Sequence, residues 1–132
     1  MLEQKLKSLI PKEINEFPKI KRIGDPYHFE SWELDKKSNE LIMRYWFCNI
    51  AKNSTNRKRV FVNEFESLLR LLLKSGNFEK SDFVKICPKT NSDGGCGFAV
   101  MVGILEQQRI IDKTGRARYS LINREKIKEW LM

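Results

Sequence analysis

Four residues in the first third of the chain have the types used by metal-assisted phosphate chemistry. Asp25, Glu33 and Asp35 carry carboxylates of the kind that hold Mg²⁺, and Lys37 has the amine that polarises a phosphate. Their setting argues against that use. Asp35-Lys36-Lys37-Ser38-Asn39 has the composition of a turn, and a solvated turn does not hold two acids rigidly enough for a metal. His28 is the only histidine, so any Ser-His-Asp or Cys-His arrangement would lean on it, and nothing nearby marks a nucleophile. Zinc needs four ligands in paired spacing, whereas Cys87 and Cys96 are nine apart and Cys48 is isolated. Three cysteines without paired spacing also fit reduced thiols better than a disulfide framework. The expectation is a non-enzymatic chain with no catalytic residue, no metal and no cofactor.

What remains is charge. There are 25 Lys and Arg residues against 17 Asp and Glu, for a formal net charge of +8. Residues 1–66 carry 13 basic and 10 acidic side chains, and residues 67–132 carry 12 and 7, so the excess leans to the second half. Such a surface attracts phosphate backbones. Trp32, Tyr45, Trp46 and Phe47 have faces on which unpaired bases stack, but a core or interface role is the stronger reading for such a set. No run approaches the roughly 18 apolar residues of a membrane span, and the first residues lack the apolar run of a signal peptide. A cytoplasmic protein with no membrane partner is therefore expected.

The elements that position these groups follow from periodicity. Leu2, Leu6, Leu9 and Ile10 recur at helical spacing up to Pro11. Pro18 and Gly24-Asp25-Pro26 mark irregular chain, made basic by Lys19, Lys21 and Arg22. Phe29, Trp32 and Leu34, the turn at 35–39, and the run 41–48 predict a β-hairpin. Arg57-Lys58-Arg59 leads into a short strand at Val60-Phe61-Val62. From Asn63 the period lengthens to about 3.6. Asn63 and Glu66 predict an N-cap pair, Phe65, Leu68, Leu69, Leu72 and Leu73 an apolar stripe, and Gly76 a C-cap. A short helix over 81–86, a turn over 89–95, a helix over 96–108, a hairpin turning at 113–116 and a last helix capped by Asn123 complete the chain. The prediction is a single α+β domain over residues 1–132, with an N-terminal helix and β-hairpin extension over 1–56.

The order of elements after Asn63, and the segment from Gly103 to Leu121, resemble the winged helix-turn-helix superfamily. In that segment an Ile-Leu pair closes a helix, an aliphatic strand follows, a basic glycine turn comes next, and Tyr119 opens the return strand. The resemblance covers roughly residues 62–131, and residues 57–132 are taken as the winged-helix part. It implies binding of double-stranded DNA, in regulation or as an accessory of a DNA-acting complex. The third helix would enter the major groove by its N-terminal end. Ser92, Gly94 and Gly95 would let backbone N–H groups approach a phosphate, with Lys89, Thr90 and Asn91 beside them. Lys113, Arg116 and Arg118 would meet the DNA from the wing. Arg116 and Arg118 flank Ala117, so an extended wing would put them on one face, and neither has an acid adjoining it in sequence.

One feature points elsewhere. From Gly94 to Leu105 there is no charged side chain and no Asn, Gln, Ser or Thr, whereas reading base edges requires polar groups. Either only the turn and helix tip touch DNA, or this helix packs against the N-terminal hairpin or a second subunit. The alternative function is therefore a protein-interaction module or homodimer built on the apolar third helix and the aromatic hairpin.

Overall fold

In the first quarter of the chain, Leu2, Leu6 and Leu9 fall on one side of helix α1 (Leu2–Leu9), and all three are buried. The computed structural model describes residues 2–17, 26–49 and 52–132. Asp25 and the basic connection at Lys19, Lys21 and Arg22 lie outside the described residues. Strands β1 (Glu16–Phe17), β2 (Tyr27–Leu34), β3 (Leu41–Asn49) and β4 (Ser54–Phe61) form an antiparallel sheet in the order β1-β2-β3-β4. The expected hairpin is β2–β3. Its turn is closed by Asp35, whose carboxylate accepts from the Ser38 N–H and hydroxyl, both at 3.0 Å. Alternation sends Met43, Tyr45 and Val60 into the core and puts Arg44 opposite Arg59 on the outer face.

Strand β4 is longer than the expected Val60–Val62 and takes in Arg57, Lys58 and Arg59. The long neighbouring strand β3 supplies pairing partners as far back as Ser54, which outweighs the charge of the segment. A division at residue 56/57 therefore cuts a strand of the first sheet.

Helix α2 (Val62–Ser75) begins one residue earlier than its expected cap, and Asn63 does not cap it; its amide donates to Glu40 at 3.0 Å. The far end is as expected: Gly76 adopts φ 80° and its N–H donates to the Leu72 carbonyl at 2.8 Å. Strand β5 (Asn77–Glu79) leads into α3 (Lys80–Ile86), α4 (Pro88–Ser92) and α5 (Cys96–Gln107). Strands β6 (Ile111–Gly115) and β7 (Arg118–Leu121) follow, then α6 (Arg124–Leu131), capped by the Asn123 side chain on Lys126 N–H at 3.1 Å. The second sheet is antiparallel with the order β5-β7-β6. The chain is thus mixed α+β, with a four-stranded and a three-stranded sheet.

Helix α5 joins the two halves. Gly97 to Leu105 are nine consecutive buried residues, enclosed by β1 and β4 from the first sheet and by α4 and β6 from the second half. Of the two alternatives left open by its apolar sequence, the structure has this helix packed on the N-terminal sheet. Ile42, Met43 and Tyr45 are buried too, and Trp32 and Phe47 pack against the same core. The large apolar side chains left exposed among the described residues are Leu34, Val84, Ile122 and Met132, spread over different elements. The apolar surplus that would call for a second subunit is taken up inside the chain. Among the described residues, no helix is long and apolar enough to cross a membrane.

Candidate nucleic-acid interface

Segment 89–95, expected to be an open turn, instead contains helix α4. Pro88 stands in its first turn, where a missing N–H costs nothing. The next two N–H groups, of Lys89 and Thr90, donate to the buried carboxylate of Glu64 at 2.9 and 2.7 Å. Glu64 lies some 25 residues upstream, so no local pattern announces this helix.

Its side chains are largely occupied. Thr90 is fully buried, and its hydroxyl accepts the Phe61 N–H at 3.1 Å. Thr90 is therefore corrected from a ligand contact to a structural residue. Asp93 accepts from the Arg59 backbone N–H at 3.0 Å and from the Arg59 guanidinium at two positions, both 2.9 Å. The same guanidinium reaches Asp35 at 3.0 Å. Phe61 and Arg59 lie on β4, the end strand of its sheet, so Thr90 and Asp93 satisfy an edge that would otherwise be bare. Lys89 pairs with Glu40 and lies 5.6 Å from the Phe61 ring centroid. The Ser92 hydroxyl donates to the Lys89 carbonyl at 2.5 Å, and Asn91 is half-buried. Gly94, at φ 109°, and Gly95 remain exposed.

The β6–β7 hairpin also departs from expectation. Lys113 is not in the turn but on β6 opposite Tyr119, and Gly115 stands opposite Arg118 with a bulge between. The loop is Arg116-Ala117, with Ala117 in the left-handed region at φ 54°. A left-handed residue between Arg116 and Arg118 removes the extended geometry behind the shared-face expectation. Arg118 is paired in space: its Nε donates to Glu79 on the neighbouring β5 at 2.8 Å, although its side chain is 68% exposed. Arg116 and Lys113 are exposed and make no ion pair among the described residues.

Lys80 is the residue that sequence reasoning missed. Its N–H donates to the Ala117 carbonyl at 3.2 Å, and its Nζ lies beside Gly95, 3.1 Å from where a Cβ would stand on that glycine. It thus ties the hairpin loop to the start of α5. Lys85 follows on α3, exposed and near enough to Glu79 to favour its ionised form. The acids on this side are engaged: Asp82 accepts from the Glu79 N–H at 2.9 Å, and Glu79 accepts from Ser81 and Arg118.

On the first sheet Arg44 pairs with Glu33, Arg57 with Glu30, and Arg59 with Asp35 and Asp93. Glu33 and Asp35 are therefore spent on the turn and on arginines. Among the described residues, no group of three or more His, Cys, Asp or Glu side chains is placed to hold a metal ion. Around the β6–β7 hairpin, Lys80, Lys113 and Arg116 make no ion pair among the described residues, although Lys113 favours the ionised form of Glu106. The cysteines are free, and burial pushes the Cys87 thiol up to about 12, which makes it inert at neutral pH.

The ion pairs carry a pH prediction. The Ser31 hydroxyl and Arg44 hold Glu33 below the usual carboxylate range; the Ser38 N–H and hydroxyl, with Arg59, do the same for Asp35. Lys89 and Asn63 lower Glu40, and Ser81 and Arg118 lower Glu79. Depressed folded-state values mean that the stabilisation is full above the unfolded carboxylate range of about 4 and is lost as pH falls through the folded values. The thermal midpoint should be flat from about pH 7 to pH 5 and fall steadily below about pH 4. A midpoint that rises in acid would contradict these pairings. Compared with family models, with curated proteins and with solved structures, the chain matches none.

Proposed function

We propose that this chain is a non-enzymatic nucleic-acid-binding protein of the winged helix-turn-helix kind. It holds double-stranded DNA on the side formed by α3 and the β6–β7 wing. Its role is in regulation or as an accessory of a DNA-acting complex. The order α2, β5, α3, α4, α5, β6, β7, α6 supports the fold, since a helix, a short helix, a longer helix, a hairpin and a last helix are what the resemblance implies. The observation that carries the function is the exposed set Lys80, Lys113 and Arg116 on or against the wing, none of them within ion-pair distance of an acid among the described residues. Exposed cations on a wing are what a phosphate backbone recruits. Arg118 joins them by exchanging Glu79 for a phosphate. The alternative, a protein-interaction surface made of α5 and the aromatic hairpin, is weakened on the α5 side, where Gly97 to Leu105 are buried, while Trp32, Trp46 and Phe47 of the hairpin stay half-buried.

A duplex titration at about 50 mM salt on wild type and on the Lys80→Ala, Arg116→Ala double variant tests this. The variant should lose affinity and flatten the slope of log K against log salt by roughly two units. Its thermal midpoint should barely move, because exposed charges rarely contribute more than about half a kcal/mol. An unchanged titration would overturn the proposal in favour of protein interaction.

A further inference from the structure

We infer that this site grips duplex DNA through its sugar-phosphate backbone and reads no base sequence. The inference rests on the DNA-binding reading above and narrows it to a class of partner. Base sequence is read by polar or apolar side chains that project into a groove, chiefly bidentate donors and acceptors on a helix in the major groove. Helix α5 is the one that the resemblance assigns to that task, and it has nothing to project. Gly97 to Leu105 are buried, and β1 and β4 of the N-terminal sheet enclose the helix. No residue from Gly94 to Leu105 carries a charge, an amide or a hydroxyl.

The polar residues just before the helix do not replace it. Thr90 is buried on Phe61 and Glu64, Lys89 is paired with Glu40, Asp93 is held by Arg59, and the Ser92 hydroxyl is turned back to its own helix. The exposed cations on or against the wing are Lys80, Lys113 and Arg116. Lysine ammonium groups on flexible stems neutralise phosphate anywhere along a duplex without selecting a base. In this chain the N-terminal sheet therefore completes the core by covering α5, so Gly97 to Leu105 are withheld from any groove.

The test uses the full chain and a duplex pool of about 20 random base pairs, selected at about 50 mM salt and sequenced. No motif should be enriched more than about threefold, and replacing thymine by uracil or cytosine by 5-methylcytosine, which alters only the major-groove edge, should leave affinity unchanged. The Lys80→Ala, Arg116→Ala variant should lose affinity equally for every sequence. Even one bidentate base contact discriminates by about fivefold or more. A motif enriched more than about threefold, or a comparable response to either modified base, would overturn the inference while leaving DNA binding in place. Failure to retain any duplex would overturn both.

Discussion

Glu64→Ala is expected to lower the stability of the fold by about 2–4 kcal/mol, more than any change to a surface charge. The Glu64 carboxylate is only 8% exposed and accepts the N–H groups of Lys89 and Thr90. Alanine leaves both donors without a partner, and a buried unsatisfied N–H costs about 1–3 kcal/mol. The loss spreads, because Thr90 and Asp93 reach β4 from this segment, so loosening α4 also bares the edge of the first sheet. Glu64→Gln keeps one carbonyl oxygen and should cost roughly half as much. Glu66→Ala is the control: Glu66 is half-exposed and 3.7 Å from Arg70, an i,i+4 pair worth at most about half a kcal/mol. Chemical denaturation of the three variants checks the order. Equal midpoints for Glu64→Ala and Glu66→Ala would show that α4 is not held in this way.

Gly97→Ala should also destabilise, by about 1–3 kcal/mol, although alanine in place of a helical glycine ordinarily gains about 1 kcal/mol. A Cβ at Gly97 would stand 2.4 Å from the Thr90 Cγ2 methyl and 3.5 Å from the Phe83 ring. Thr90 cannot swing aside cheaply, since its hydroxyl and its N–H are both committed to buried partners. The thermal midpoint should fall by about 5–10 °C. A rise would mean that α4 and α5 can separate without cost.

The parts of the fold legible in the sequence are those fixed by neighbouring residues. The spacing of Leu2, Leu6 and Leu9 announces α1. The stripe from Phe65 to Leu72 with Gly76 announces α2 and its end, and Asn123 announces α6. The missed features depend on distant partners. Helix α4 rests on Glu64, and β4 starts at Ser54 because β3 is there to pair with it. The hairpin register was misjudged because its loop turns on Ala117, a residue without the usual signature of a left-handed position.

Which cations of the candidate site have acid partners was hidden for the same reason. Lys89 meets an acid 49 positions away, and Arg118 meets one 39 positions away, so which cations stay free cannot be read from charge runs. Lys80 carries no local mark at all, yet it bridges the wing loop and Gly95. The uncharged stretch from Gly94 to Leu105, by contrast, is legible, and the structure places Gly97 to Leu105 of it in the core.

The measurement that tests the central claim most directly is duplex DNA binding by the intact chain across a salt series from about 50 to 200 mM. Four exposed cations, Lys80, Lys113, Arg116 and Arg118, lie on or against the wing, and each neutralised phosphate contributes about −0.9 to the slope of log K against log salt. The account predicts measurable binding at the low end and a slope of about −3 to −4. No binding at about 50 mM, or an affinity indifferent to salt, would contradict it.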